Sequence, residues 1–575
     1  MLLALLACAV CRLGGWRGTD WAAQVYRAGQ AYHWALAVWD PGWYGGMYPL
    51  NYSLVYPLVA GYFGLWPVAA LSAAGAAFCF DRLALRHFGR RPAGSWYFAL
   101  STVIEVAIGQ LPTLAGEALA LGSVLCLVRY QDARCGRVGG GARGGQGGGA
   151  RGGVAGEAKR WARGSLPAGF ALGALAGLTS PVAGAFLGMA LVAWALSDLG
   201  RAPTRQLGTG LLAGAFTFAS TAALPLLFPG PGYFPFGFGD LVITLAICGV
   251  LACPPVVSSR PVRAGAVLYA AVSVGIFLVR TPVGDNDTRL AAYVGVPLAI
   301  CYLPGAARRL AVGPGGRLRR WAVTMVPAAI AASMVTWHWS PALGALDAAT
   351  NGPSSTAAYY KPLIAELALL SRNRPVRVEI PPTAHHWESA YVAPKFALAR
   401  GWERQLDIAY DPLFYQARPL TPSEYRAWLL ANGVSFVAIA GAPLDYAATE
   451  EARLLRSGEA KGLQPVWHTA SWQLWRVVGS QGLATAPATV VSLSPRSVDV
   501  RYSQPGLSTL RLRWSPFWSL TGPGAREACL RPAAGGWTEL GSSVAGQLRL
   551  SMSVIDANHG SCRARGGVRS GVNGP

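Results

Sequence analysis

The chain has 575 residues, of which 52% are hydrophobic and only 13% are charged, and its mean hydropathy is +0.33. This composition excludes an ordinary soluble globular protein and is typical of a chain with many membrane spans. The formal net charge is +22, but no basic helix, zinc-ligand spacing or RNA-binding motif accompanies it, so we expect no nucleic-acid partner.

Apolar runs of about 15 to 20 residues recur along the first 337 positions, and each predicts a transmembrane helix. The pattern predicts about eleven spans. They lie at Met1–Leu13, Leu54–Phe80, Gly94–Ile108, Thr113–Val128, Leu166–Leu178, Val182–Leu196, Leu207–Leu227, Leu241–Val257, Ala264–Val279, Leu290–Leu303 and Trp321–Trp337. The first run is short and no basic residue precedes it, so a signal peptide or an incomplete start is an alternative interpretation.

Basic residues concentrate in alternate loops of this prediction, as in the positive-inside rule. The loops on the other side hold only five of them, namely Arg12, Arg17, Arg27, Arg280 and Arg289. The bias predicts a plasma-membrane protein with a cytoplasmic N-terminus and with everything after Trp337 outside. The longest cytoplasmic loop, residues 129–165, contains a Gly/Arg-rich stretch from Gly139 to Gly153 that is typical of a flexible linker.

The region after Trp337 is no longer membrane-like. The predicted domains are a transmembrane domain at 1–337, an α/β domain at 338–483, a β-sandwich-like domain at 484–562 and a disordered tail at 563–575.

Local signals support this division. Thr421, Pro422 and Glu424 predict a helix start with a capping box, and Val434–Ala440 predicts a buried strand. Short alternating runs such as Ser497–Tyr502 predict the sandwich.

Cys529 and Cys562 are the two cysteines of the predicted outer region, so a disulfide between them is possible. No Cys/His spacing typical of a metal site occurs, and we expect no metal or other cofactor, although a divalent cation remains an option.

The first outside loop, Gly18–Pro57, is the segment richest in candidate functional residues. It is dense in aromatic side chains that could stack on sugar rings or line the membrane interface, and its acids are Asp20 and Asp40. The candidate contacts to substrate in this part of the chain are Arg17, Arg27, Trp39, Trp43 and Tyr44.

Further candidates lie at or near predicted membrane depth. Glu105 and Glu117 fall inside predicted spans, where an acid is costly and usually faces a cavity or a partner. The loop Arg280–Leu290 offers Arg280 and Arg289 as phosphate ligands, together with Asp287.

An acidic residue directly after the first helix, in a long outside loop that precedes about ten further spans and an outer domain, resembles the GT-C superfamily of glycosyltransferases. The blocks Gly18–Gln24, Trp39–Tyr52, His386–Pro394 and Arg400–Asp407 also resemble uncharacterised actinobacterial integral membrane proteins. Those proteins are sometimes labelled transporters or related to YfhO-type membrane glycosyltransferases.

The resemblance implies a GT-C-like helical membrane fold and transfer of a sugar from a polyprenyl-phosphate donor to a cell-envelope glycan or lipid acceptor, at the extracytoplasmic face of the bilayer. It implies a catalytic role for Asp20, with Asp40 as the second candidate.

Two alternatives remain open from the sequence. The first is a secondary transporter or an exporter of lipid-linked glycans, although no internal repeat is visible. The second is a noncatalytic scaffold of envelope assembly.

Overall fold

The computed structural model describes residues 1–134, 151–197, 204–311, 317–555 and 557–560. Residues 139–150 of the Gly-rich stretch Gly139–Gly153 and the predicted tail at 563–575 lie outside these residues. The chain forms two compact units. The first comprises Met1–Leu36, Leu50–Gly352 and Arg404–Ala409, and the second comprises Ala37–Pro49, Pro353–Glu403 and Tyr410–Pro575.

The first unit is helical. Its helices are α1 (Leu2–Leu13), α2 (Trp21–Trp34), α3 (Val55–Phe63), α4 (Leu65–Phe88), α5 (Ala93–Ile108), α6 (Leu111–Arg134), α7 (Arg151–Thr179), α8 (Pro181–Ser197), α9 (Thr204–Leu227), α10 (Phe238–Ala252), α11 (Arg260–Leu278), α12 (Val296–Ala311) and α13 (Arg317–Asn351).

Within the described residues, five helical stretches are long and apolar enough to cross a membrane. They are Leu65–Phe88, Leu111–Arg134, Leu207–Leu227, Arg260–Leu278 and Gly284–Arg309. Five shorter apolar helices accompany them, at Leu2–Leu13, Ala93–Ile108, Gly164–Thr179, Pro181–Ser197 and Phe238–Ala252. The helical unit is therefore that of a multi-pass membrane protein, while the number of eleven spans stays a prediction.

The predicted continuous span Leu54–Phe80 is wrong in one respect. The helix breaks at Gly64, whose φ of 86° is accessible mainly to glycine, and restarts at Leu65 with Pro67 in its first turn. The result is a short α3 followed by the longer α4, which runs on to Phe88.

The first part of the second unit is an α/β module. Its helices are α14 (Ala357–Ser371), α15 (Glu388–Tyr391), α16 (Arg404–Tyr410, most of which belongs to the first unit), α17 (Pro422–Ala431) and α18 (Thr449–Ser457). Its strands are β1 (Arg377–Glu379), β2 (Ala397–Leu398), β3 (Val434–Ala440), β4 (Leu463–His468) and β5 (Trp472–Val477).

These strands form one sheet in the order β2-β1-β3-β5-β4. β1 is parallel to both β2 and β3, whereas β3–β5 and β5–β4 are antiparallel. The predicted strand Val434–Ala440 is confirmed, and it is buried along almost its whole length because helices cover the sheet. The capping box is also confirmed, since Thr421 Oγ1 accepts a hydrogen bond from Glu424 N and Glu424 Oε2 accepts one from Thr421 N.

The remainder of the described chain is rich in β-structure. Its strands are β6 (Ala488–Leu493), β7 (Ser497–Tyr502), β8 (Gly506–Arg513), β9 (Trp518–Thr521), β10 (Ala528–Pro532), β11 (Trp537–Ser542) and β12 (Gly546–Met552). They form sheets in the orders β10-β11-β8 and β6-β7-β12-β9. Both sheets contribute to one apolar core that includes Val500, Leu512, Leu540 and Leu550, as in a sandwich.

Cys529 in β10 is disulfide-bonded. The cysteine predicted to pair with it, Cys562, lies outside the described residues.

Candidate functional site

The start of α2 is hydrogen-bonded to the end of α5. Gly18 N donates to Ala107 O at 2.8 Å, Asp20 N donates to Ile108 O at 3.0 Å, and the Trp21 indole Nε1 donates to Val106 O at 2.7 Å. The last carbonyls of a helix have no partner within it, so these donors satisfy groups that would otherwise need water. Asp20 is therefore held at the end of the helix that contains Glu105.

This close approach depends on a glycine. Gly109 ends α5 with a φ of 99°, and a Cβ atom there would lie 2.4 Å from Trp21 N and 2.8 Å from the Asp20 carbonyl carbon. A side chain at this position would be strained and would displace the turn that carries Asp20.

Three polar residues of α2 share one face of the helix. Asp20, Gln24 and Arg27 have the spacing i, i+4, i+7. Gln24 and Arg27 are buried, and the Arg27 guanidinium carbon lies 3.7 Å from the centroid of the Tyr52 ring. Asp20 stands at the N-cap position of α2 but makes no capping hydrogen bond with its side chain, so its carboxylate is directed to other partners.

The Tyr52 hydroxyl lies where several of these charges meet. Burial raises its pKa, the positive charges of Arg27 and Arg289 oppose that rise, and the negative charge of Asp20 adds to it. The Gln24 side chain also acts on this hydroxyl and lowers its pKa. Asp20 and Arg289, which are far apart in the sequence, are thus close enough to influence one phenol group.

Glu105 and Glu117 form a second part of the cluster. Both are buried, on α5 and α6, and their side chains interact with one another. Two buried carboxylates repel one another unless a cation lies nearby. Arg289 is a cation that acts on Glu105.

Arg289 is held by a side chain of α6, because its Nη1 donates to Thr113 Oγ1 at 2.8 Å. A π-helical segment, Leu290–Gly295, follows it directly. Such segments are rare and are frequent at functional sites. The segment carries Tyr293, whose hydroxyl donates to Gln110 Oε1 at 2.7 Å and interacts electrostatically with Asp20, Glu105, Glu117 and Arg289.

We call this group the Asp20 cluster. Its members all belong to the first unit, and they are Asp20, Gln24, Arg27, Tyr52, Glu105, Gln110, Thr113, Glu117, Arg289 and Tyr293. The cluster combines the half-buried carboxylate of Asp20, the two buried carboxyl groups of Glu105 and Glu117, two guanidinium groups and several neutral hydrogen-bonding groups. Such a set can accept a proton from a hydroxyl group and bind an oxyanion. Within the part of the chain that the structure describes, no group of His, Cys, Asp and Glu could hold a metal ion.

Two predicted site residues of the first unit, Arg280 and Asp287, make contacts outside this cluster. Arg280 is exposed, with its guanidinium 4.9 Å from the Tyr233 ring centroid. Asp287 is fully buried beside Ser273 of α11 and Cys248 of α10, and its carbonyl accepts a hydrogen bond from the Tyr269 hydroxyl at 2.5 Å. Arg17 is half-buried just before the cluster.

The segment Ala37–Pro49 belongs to the second unit, although it lies between two parts of the first unit in sequence. It carries four predicted site residues. Asp40 Oδ1 accepts from Gly42 N at 2.8 Å, and Trp39 packs on Trp518 in the sandwich core with ring centroids 4.8 Å apart.

The other two also make packing contacts in this unit. Trp43 Nε1 donates to Ser389 O at 3.3 Å, and the Tyr44 hydroxyl donates to Glu403 O at 2.9 Å. Each of the four therefore has a structural contact that accounts for its burial, and their functional roles stay predictions.

Sequence reasoning did not assign Gln24, Gln110, Thr113 or Tyr293 to the site, and it considered Tyr52 only as one of the aromatic residues of the first outside loop. Gln24 lies four residues after Asp20, and this helical spacing is the one signal in the sequence that could have found it. The two tyrosines are indistinguishable by sequence from the aromatic residues common at membrane interfaces.

No protein-family model and no curated protein matches the chain. Among solved structures, it is similar to cryo-EM structures of the arabinofuranosyltransferase AftD from Mycobacteria. One match has a TM-score of 0.42 at 14% identity and covers 83% of this chain and 40% of that one. A mutant of the same protein gives a TM-score of 0.46 at 14% identity, with 84% and 42% covered.

The chain thus spans about two fifths of the length of the structures that it matches. At these TM-scores the likeness assigns no role to any residue.

Proposed function

We propose that the chain is a membrane glycosyltransferase that transfers a sugar from a polyprenyl-phosphate donor to a glycan or lipid acceptor of the cell envelope. The observation that carries the proposal is that Asp20 and Arg289 both interact electrostatically with the hydroxyl groups of Tyr52 and Tyr293. A carboxylate and a guanidinium in one cluster supply both groups that this reaction requires, a base for the acceptor and a ligand for the phosphate.

Asp20 is the catalytic base in this proposal. Its carboxylate takes the proton of the acceptor hydroxyl while the acceptor oxygen forms a bond to the anomeric carbon. The bond between that carbon and the phosphate oxygen breaks, and the polyprenyl phosphate leaves with the electron pair. Attack from the side opposite the phosphate inverts the anomeric centre.

Arg289 and Arg27 bind the phosphate in this proposal. Guanidinium groups form paired hydrogen bonds with phosphate oxygens, and their positive charge stabilises the leaving group as its negative charge grows. Thr113 holds Arg289 through the bond to Nη1, and the Tyr52 ring lies against Arg27. Both cations are therefore oriented before the donor binds.

The orientation of the chain is part of the proposal. Basic residues are concentrated in alternate loops of the helical region, and this bias supports a position of the Asp20 cluster at the extracytoplasmic face. The disulfide at Cys529 supports an oxidising compartment for the second unit. Polyprenyl-phosphate sugars are lipids, so the proposal needs no soluble nucleotide donor.

The test is a transfer assay in proteoliposomes. The purified chain is incubated with radiolabelled polyprenyl-phosphate pentoses or hexoses and with envelope glycan or lipid acceptors, and label in the acceptor is measured. We expect wild-type transfer, and a loss of about 10²–10⁴-fold in Asp20→Asn, because the amide cannot accept the proton.

Asp81→Asn is the matched control. Asp81 is an acid of the same unit, but it pairs with Arg91 at 3.1 Å outside the cluster. Its variant should transfer sugar at the wild-type rate. Transfer by Asp20→Asn at the wild-type rate, or no transfer by the wild type from any of the donors, would refute the proposal.

A further inference from the structure

A cavity of about 320 Å³ opens on the second unit, where the α/β module meets β6. Its wall includes residues at the end of α14, the strands β3 and β5, the turn Ser480–Leu483 and the start of β6. We call it the Arg374 pocket. Its volume is at the lower end of the range for ligand pockets, roughly 300–1,000 Å³, so it can hold a ligand about the size of a monosaccharide.

The charged residues that line the pocket are all positive. Arg374 and Arg476 line it, and no acidic residue does. Neither guanidinium has an ion-pair partner among the residues that the structure describes. Both arginines are exposed, and an anion in the pocket would be attracted by two positive charges that no carboxylate of the lining neutralises.

The arginine on the sheet is held in place by its strand pairing. Arg476 of β5 lies opposite Phe436 of β3 in the register of the sheet, and its guanidinium carbon is 5.9 Å from the Phe436 ring centroid. The aromatic contact favours a conformation in which the charged end stays over the sheet, which reduces the entropy lost on binding.

A second part of the pocket wall, the turn Ser480–Leu483, is held by hydrogen bonds. Arg511 fixes the turn that contains Gln481 and Gly482, because its Nη1 donates to Gly482 O at 3.2 Å and its Nη2 donates to Gln481 Oε1 at 3.4 Å. Gly433, with a φ of 64°, packs against this turn so closely that a Cβ atom would lie 2.2 Å from Gly482 O. The wall therefore keeps its shape without a ligand.

Neutral polar groups complete the lining. Ser435, Ser480, Gln481 and Thr489 add hydroxyl and amide groups, which suit the hydroxyls of a sugar. Guanidinium groups suit a phosphate or a carboxylate. We infer that the Arg374 pocket is a binding site for a small anionic saccharide that carries a phosphate or a carboxylate group. This site is separate from the Asp20 cluster, and the inference does not depend on the proposed transferase activity.

Binding is measured with the full chain in nanodiscs, by equilibrium dialysis against radiolabelled glucose 6-phosphate, glucuronate or glucose. We expect glucose 6-phosphate, glucuronate or both to bind, and glucose to bind at least about tenfold more weakly, because it offers no charge to the arginines. The anion that binds identifies the oxyanion class of the ligand.

The variants are Arg374→Gln and Arg476→Gln, with Arg501→Gln as the matched control. Arg501 is an exposed arginine of β7 that does not line the pocket. Each pocket variant should raise the Kd of the anion by about tenfold, and the control should leave it unchanged. The inference is overturned if the wild type binds neither anion, if glucose binds equally well, or if both pocket variants bind the anion as the wild type does.

Discussion

The Arg289 guanidinium interacts with four other members of the Asp20 cluster. It donates to Thr113 and acts on Glu105, Tyr52 and Tyr293. Part of this cluster could be predicted from the sequence, because it contains polar residues within predicted membrane spans. A charged group in an apolar environment needs a partner. The sequence could not show that this partner is Arg289, since Arg289 lies more than a hundred positions from Tyr52, Glu105 and Thr113.

The first prediction concerns the two arginines that the sequence offers equally as phosphate ligands. Arg289→Gln should weaken the binding of a polyprenyl-phosphate sugar by about tenfold or more, because a charge-assisted hydrogen bond is lost. The measurement is a binding titration in nanodiscs. Arg280→Gln is the control, since Arg280 is exposed and packs on Tyr233. Equal losses in the two variants would contradict the assignment of Arg289.

The second prediction concerns Gln24, a buried amide on the same helical face as Asp20. An amide can both donate to and accept from a sugar hydroxyl, but it contributes little to a phosphate. Gln24→Leu should therefore lower the affinity for a polyprenyl-phosphate sugar by about tenfold and leave the affinity for polyprenyl phosphate unchanged. The same titration with both lipids measures this difference.

Gln30→Leu serves as the control for Gln24, because Gln30 lies on the same helix and donates to the Tyr26 hydroxyl at 2.9 Å. It should bind both lipids as the wild type does. A Gln24→Leu variant that loses affinity for both lipids equally would assign Gln24 a structural role.

At the scale of elements, the site depends on the turn between α5 and α6, which meets the start of α2. The third prediction is that Gly109→Ala lowers stability by about 1–2 kcal/mol or more and also abolishes transfer, because the added Cβ strains the backbone and displaces Asp20. Thermal unfolding in detergent and the transfer assay together measure the two effects.

Gly89 provides a control, because it also has a positive φ but an added Cβ atom there would make no close contact. It ends α4 with a φ of 69°, and a Cβ atom there would meet nothing within 4 Å. Gly89→Ala should lower stability to a similar or smaller degree and retain transfer. Loss of transfer in both variants would show that strain alone, rather than the position of Asp20, controls activity.

The fourth prediction concerns the cap of α17. Thr421→Ala should cost about 1 kcal/mol, because it removes the hydrogen bond to Glu424 N. Thr356 at the N-cap of α14 makes no capping bond, so Thr356→Ala should change the unfolding midpoint less. Equal shifts in the two unfolding midpoints would contradict the role assigned to the capping box.

Structural elements that depend on a few neighbouring residues could be predicted from the sequence. The capping box and the strand Val434–Ala440 depend on a few neighbouring residues, and both were predicted correctly. The break at Gly64 was missed because hydropathy continues unchanged across it, even though Gly64 and Pro67 are local signals for a helix end and a helix start. The sheet order β2-β1-β3-β5-β4 joins segments far apart in the chain, and no periodicity encodes it.

At the scale of the whole molecule, hydropathy predicted a helical membrane unit followed by a β-rich region, since both follow from composition averaged over long segments. It did not predict that Ala37–Pro49 joins the second unit. Asp20 and Asp40 occupy one predicted loop, yet they belong to different units, because the later half of the loop pairs and packs with residues hundreds of positions away.

The central claim is that the Asp20 cluster binds a polyprenyl-phosphate donor. It is tested most directly by photo-crosslinking with a photoreactive polyprenyl-phosphate sugar in nanodiscs, followed by mass spectrometry of the labelled peptides. The account predicts labels at residues 18–27, 50–54, 109–117 or 288–295, and unlabelled donor should compete for these positions. Labels confined to other segments, or labels that excess unlabelled donor does not reduce, would contradict it.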